Sequence, residues 1–161
     1  MNSPTDDSRL DWVLLAYRLP REPSSPRIAL WRKLKRLGVA QLLDGLVALP
    51  LDNRNREQLE WLADGVVEAG GEATIWVGAL GSRVQERELA ASMASGVAEE
   101  YRRVIEEADS APDGGRRTRT LARLRRELHR IRARDYFPPP ERELARQAVE
   151  RFAGQTAESP A

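Results

Sequence analysis

The chain has 161 residues and a formal net charge of +1, and 32% of its residues are charged. This length allows a domain with a packed core and a helical extension. Cysteine is absent, which excludes disulfides, thiolate catalysis and cysteine-bound metals. No apolar stretch is long enough for a membrane span, and the polar, acidic N-terminus is unlike a signal peptide. We therefore expect a cytoplasmic protein.

The first predicted elements are a buried strand and a helix. Trp12–Tyr17 is an unbroken apolar run that ends before a proline-rich segment, which favours a strand buried on both faces. Ser25 is a suitable N-cap, Pro26 fits the first helical position, and Gly38 ends the helix. Apolar residues recur along one predicted face at Ile28, Trp31, Leu34 and Leu37.

A hairpin, a second helix and a last strand follow. Val39–Leu43 and Leu46–Leu49 flank Asp44-Gly45, a strong hairpin signal. Asp52 or Asn53 then caps a helix that runs to about Ala69. Its predicted apolar positions are Leu59, Leu62, Ala63, Val66 and Val67, it stops at Gly70-Gly71, and Glu72–Val77 is the final strand.

This order of elements predicts an α+β fold. Strand, helix, strand, strand, helix, strand is the ferredoxin-like βαββαβ pattern, with both helices on one face of a four-stranded antiparallel sheet and the first strand inside it. We assign residues 11–80 to this module. Residues 82–153 are expected to form a helical hairpin with a short C-terminal helix packed on it, about three helices in all.

The helical half is predicted from its periodicity. Val84–Ala108 carries one apolar stripe, residues 110–115 form a turn, and Glu141–Phe152 is a short last helix. Between them, Arg116–Arg134 has apolar residues at a spacing of three and four, which makes a narrow seam of Leu121, Leu124, Leu128 and Ile131.

Charge is distributed unevenly between the two long helices. Residues 85–109 hold seven acids and three arginines, whereas residues 116–134 hold nine arginines and one glutamate. One interpretation is a hairpin whose helices attract each other, although exposed pairs contribute only about 0–1 kcal/mol each. The other is a basic surface for nucleic-acid phosphate. The candidate nucleic-acid residues are Arg32, Lys33 and Arg36 on the first helix and Arg116, Arg117, Arg119, Arg123, Arg126 and Arg130.

The loop between the first strand and the first helix is a candidate anion site. Free N–H groups and the helix dipole favour an anion at a helix start. The candidate residues are Arg18, Arg21, Ser24, Ser25 and Arg27. A solvated loop with an ordinary cap is the alternative interpretation.

No arrangement of residues predicts catalysis. His129, the single histidine, lies beside Arg130, and no acid four residues away partners it. No catalytic dyad, metal-ligand cluster or glycine-rich phosphate loop appears, so we expect no enzymatic activity, metal or cofactor. Of the four tryptophans, Trp12, Trp31 and Trp76 suit the core of the first half, while Trp61 falls off the main helix stripe.

The chain resembles the N-terminal domain of the ChrB family of chromate-resistance regulators. The resemblance rests on LPREPS followed by PR, on LLDGLVALP, on NREQLEWLADGVVEAGGEATIW and on RLRRELHRIRARDYFP, and it runs from about Asp11 to Phe152. Longer members of that family carry a further C-terminal domain, whose activities are not implied here.

More distantly, the first half resembles the ferredoxin-like domain of PaaX-type repressors and of small CRISPR-associated nucleases. Those nucleases place a metal-binding aspartate at the end of the first strand, where this chain has Ala16, Tyr17 and Arg18. Metal-dependent nuclease activity is therefore not expected.

The ChrB resemblance implies a regulator of chromate-resistance operons that binds promoter DNA or responds to chromate. Two alternatives remain open. One is a protein-interaction or dimerisation module without DNA binding, in which the α/β sheet pairs with a partner, such as a second copy in a homodimer, and the arginine-rich helix only closes a hairpin. The other is a sensor of a small oxyanion, chromate or sulfate, without DNA contact.

Overall fold

The computed structural model describes residues 9–111 and 116–157. In chain order the elements are β1 (Trp12–Arg18), α1 (Ser25–Leu37), β2 (Ala40–Leu43), β3 (Leu46–Pro50), α2 (Asn53–Glu68), β4 (Glu72–Gly78), α3 (Arg83–Ser110), α4 (Arg117–Ala133) and α5 (Glu141–Ala157). The chain divides into two compact units, one ending at Leu89 and the other starting at Ala90. The turn expected over residues 110–115 lies mostly outside the described residues. No helix in the described ranges is both long and apolar enough to cross a membrane.

The first unit is built on a four-stranded antiparallel sheet in the order β2-β3-β1-β4. The central position predicted for the first strand is confirmed, since β1 pairs with β3 on one side and β4 on the other. Alternate residues of a strand point to opposite faces. Val13 and Leu15 are fully buried together with their β3 partners Leu49 and Val47.

The apolar face predicted for α1 is wrong in part. Leu30 and Leu34 are buried, whereas Ile28 and Trp31 are 48% and 54% exposed. A spacing of three residues falls about 60° short of a full turn at each step. The predicted run, in which every residue is three after the last, therefore moves progressively around the helix. The residues that face inward are Leu30 and Leu34, which are four apart. The N-cap is Ser24 rather than Ser25, and its side chain makes no capping hydrogen bond.

The predicted turn and cap residues have clear structural roles. Gly45 has φ +78° between β2 and β3, and its carbonyl accepts a 2.8 Å hydrogen bond from the Tyr17 N–H. Asp52 is the N-cap of α2, and its side chain accepts a 2.6 Å hydrogen bond from the Asn55 N–H. Gly38 ends α1 in the left-handed region, as expected.

The predicted core positions of two tryptophans are also wrong. Trp12 is fully buried, but Trp31 and Trp76 are 54% and 62% exposed. Trp76 pairs with Leu14 across the β1–β4 ladder, so it points away from the face that holds Val13 and Leu15. Because β4 is an edge strand, its face is less covered than that of central β1.

The second unit packs α4 and α5 with the C-terminal part of α3. Its core includes Tyr101 and Val104 of α3, Leu124 and Ile131 of α4, and Phe152 of α5, with Leu121 and Leu128 partly buried against them. The seam predicted for α4 is thus confirmed. The helical segment is longer than predicted, because α5 continues to Ala157 instead of ending at Phe152.

A buried polar contact joins α3 to the segment that follows α4. The hydroxyl of fully buried Tyr101 donates a 2.8 Å hydrogen bond to Oδ2 of Asp135. Arg142 Nη1 lies 3.6 Å from the same oxygen, and buried Oδ1 of Asp135 has no hydrogen-bond partner among the described residues. Burial, followed by the bond to Asp135, raises the pKa of Tyr101 above its ordinary value of 10.0.

Candidate nucleic-acid interface

The predicted arginines of α4 form a row along one flank of the helix. We use "arginine row" for Arg116, Arg119, Arg123, Arg126 and Arg130, all of which are exposed. Their alternating spacing of three and four places them on one side of an α-helix. The apolar stripe, which includes Leu124 and Ile131, is buried in the core of the unit. The row lies on a side of α4 away from this stripe and remains accessible to solvent.

Part of the arginine row is engaged by acidic side chains. Arg123 forms an ion pair with Glu107 of α3, and Arg130 lies 3.3 Å from Glu127 on its own helix. Farther along, Arg134 pairs with Glu100 of α3 and is only 18% exposed. The contacts of Arg123 and Arg134 with α3 support the hairpin interpretation for these two arginines.

The other members of the arginine row have no such partner. Within residues 9–111 and 116–157, Arg116, Arg119 and Arg126 form no ion pair and no side-chain hydrogen bond. Guanidinium groups bind phosphate through two parallel hydrogen bonds, so these three side chains are the phosphate candidates within the arginine row.

Arg117, which was also predicted to bind nucleic acid, has a different environment. Its exposed fraction is 7%, and its guanidinium carbon lies 4.6 Å from the centre of the Phe152 ring. Nη2 donates to Oε1 of Gln155 at 3.2 Å, and Nε donates to Oγ1 of Thr156 at 3.4 Å. Arg117 therefore holds α4 against α5, and these contacts occupy the group that would meet phosphate.

The basic residues predicted on α1 belong to the first unit. Arg32, Lys33 and Arg36 are exposed and form no ion pair in the part of the chain that is described. Lys33 also lines a groove between α1 and α2. These residues lie in a different unit from the arginine row, so each set is considered by itself.

The candidate anion loop is only partly organised. Arg18 is paired with Glu72 of β4 at 2.5 Å, and both side chains are more than 70% exposed. Arg21, Ser24, Ser25 and Arg27 are exposed, and among the residues described here no ion pair or side-chain hydrogen bond connects them. The loop thus brings basic residues near the start of α1 without linking their side chains.

The groove between α1 and α2 is a feature that the sequence interpretation missed. Its volume is about 150 Å³, and its walls include Pro26, Ala29 and Lys33 on α1 and Trp61 and Gly65 on α2. The sequence signal that could have indicated this groove was a small residue beside the buried stripe of each helix, Ala29 on α1 and Gly65 on α2. Lys35 Nζ lies 4.5 Å from the centre of the Trp31 ring on the same helix, a second contact that the sequence reading did not predict.

Comparison with known proteins identifies the family. The family model described as "Protein ChrB, N-terminal" matches residues 27–111, and the chain belongs to this family. A Protein ChrB of Cupriavidus metallidurans is 28% identical over 144 residues, which are 86% of this chain and 44% of that relative. The chain thus spans less than half the length of this relative. No solved structure matches this chain.

Proposed function

We propose that this chain is the DNA-binding part of a regulator of chromate resistance. Membership in the ChrB N-terminal family supports the regulatory role. The exposed guanidinium groups of Arg116, Arg119 and Arg126, which form no ion pair within the described ranges, support DNA binding. The strand order β2-β3-β1-β4, with α1 following β1 and α2 following β3 along the chain, supports the ferredoxin-like interpretation of the first unit. We propose a cytoplasmic, nonenzymatic protein.

The unpaired arginines are the observation that carries the proposal. A hairpin needs cations only where α3 offers carboxylates, and Arg123 and Arg134 already meet Glu107 and Glu100. Additional exposed arginines beside them concentrate positive charge and repel one another. Binding to phosphate removes that repulsion and releases the counterions of DNA.

Promoter binding by the whole chain tests the function. A labelled duplex from the promoter of its own operon and an unrelated duplex of equal length are titrated with the protein, with and without chromate. We expect tighter binding to the promoter duplex, and weaker binding of both as salt increases. Absence of binding to either duplex at low salt would refute a DNA-binding role.

A second candidate function is direct binding of chromate or sulfate at the loop before α1. It is favoured by the absence of a capping hydrogen bond from the Ser24 side chain. It is also favoured by Arg21 and Arg27, which are exposed and form no ion pair in the part of the chain that the structure describes. Calorimetry with the wild type and an Arg21→Ala, Arg27→Ala double variant tests it. We expect weak binding for which chromate and sulfate compete, and equal affinities of the two proteins would remove this loop as the sensor.

A further inference from the structure

The groove between α1 and α2 is an exposed apolar surface in the first unit. Trp61 stands at its edge and is 62% exposed. A Cβ added to Gly65 would meet nothing within 4 Å, so the wall beside Trp61 is open. A tryptophan next to an open groove gives a large contact area of the kind that is enriched at protein interfaces.

The two helices that form this groove carry opposite charges. Residues 25–38, which include α1, contain five basic residues and no acid. Helix α2 (Asn53–Glu68) contains four acids and two arginines, and one of these arginines, Arg56, pairs with Glu60 of the same helix. Arg32, Lys33 and Arg36 on α1 are exposed and form no ion pair in the described chain. The same holds for Glu57, Asp64 and Glu68 on α2. One basic and one acidic helix therefore lie side by side on one surface.

We propose that this surface binds a second copy of the chain through a two-fold axis that runs along the groove. Such an axis places α1 of each copy on α2 of the other in an isologous interface. Each basic helix then meets an acidic helix, and Trp61 of each copy packs at the groove of its partner. The alternative axis, across the groove, would place α1 on α1 and is opposed by like charges.

A second copy fits this surface better than nucleic acid does. DNA phosphates would be attracted by α1 but repelled by Glu57, Asp64 and Glu68 on the neighbouring helix α2. A copy of the chain matches both walls at once, because it presents the same two helices in reversed order. This complementarity sets the orientation of the dimer.

Charge reversal on each helix provides the test. One full-length variant carries Arg32→Glu, Lys33→Glu and Arg36→Glu, and the other carries Glu57→Lys, Asp64→Lys and Glu68→Lys. All six side chains are exposed, so the folded units are expected to persist, and circular dichroism verifies this. Sedimentation velocity measures the mass of each variant alone and of an equimolar mixture.

We expect the wild type at twice the 18.1 kDa of the chain, each variant alone at the single mass, and the mixture at the doubled mass. Trp61→Ala should weaken the dimer at least tenfold, whereas Trp31→Ala, which removes an exposed tryptophan from α1 outside the groove lining, should not. High salt should also favour the monomer.

Three results would overturn the proposal. They are a wild type that stays monomeric at all concentrations, variants that remain dimeric alone, and a mixture that stays at the single mass. Loss of DNA binding by the acidic α1 variant, with a monomeric wild type, would instead assign this basic helix to DNA.

Discussion

Replacement of buried Arg117 by alanine should destabilise the second unit without acting through the arginine row. The substitution removes the contact with the Phe152 ring at 4.6 Å and two hydrogen bonds to α5 of 3.2 and 3.4 Å. A desolvated cation–π contact contributes about 0.5–2 kcal/mol, and hydrogen bonds of a charged group contribute about 1.5–3 kcal/mol. Because both bonds are long, we expect a total loss of roughly 2–3 kcal/mol in the free energy of unfolding.

Urea unfolding followed by far-ultraviolet circular dichroism measures this loss. All four tryptophans lie before Leu89, so their fluorescence reports the first unit and serves as an internal reference. Arg116→Ala is the matched control, because it removes the same charge from an exposed neighbouring position. Equal unfolding free energies for the two variants would refute the structural role of Arg117.

Two further predictions concern single contacts. Gly45→Ala would place a Cβ 2.4 Å from the Tyr17 carbonyl oxygen at φ +78°, and should cost at least about 1–2 kcal/mol. Gly78→Ala, whose Cβ meets nothing within 4 Å, is the control. Similar urea-unfolding midpoints for the two variants, followed by tryptophan fluorescence, would contradict the predicted loss at Gly45. Tyr101→Phe removes the donor to Asp135 and should cost about 1–3 kcal/mol. Because the raised pKa of Tyr101 keeps its proton on the folded state, wild-type stability should fall as pH rises above about 10. An unchanged pH dependence in Tyr101→Phe would contradict that contribution.

Local sequence signals predicted much of the first unit. Asp44-Gly45, Asp52 and Gly38 act through conformations of their own backbone, so the hairpin, the α2 cap and the end of α1 could be assigned without knowledge of the tertiary structure. The apolar run of Trp12–Tyr17 similarly indicated a central strand, because a strand covered on both faces needs no polar side.

Positions that depend on neighbouring elements were less predictable. Trp31 and Trp76 are as apolar as Trp12, but only the packing of helices on the sheet decides which of them is covered. The arginines posed the same difficulty. Composition does not distinguish Arg117, which lies under Phe152, from Arg116, which is exposed beside it. The partition of the arginine row into paired and unpaired residues depends on where α3 presents its carboxylates.

The salt dependence of promoter binding tests the proposed DNA surface most directly. Arg119→Ala with Arg126→Ala removes two unpaired members of the arginine row. Arg125→Ala with Arg132→Ala removes equal charge at the same spacing from a different side of α4, where both side chains are also exposed. We predict that the first variant flattens the slope of log affinity against log salt by up to about 0.9 for each lost phosphate contact, and that the second leaves the slope near the wild-type value. Equal slopes for the wild type and both variants would contradict phosphate binding by the arginine row.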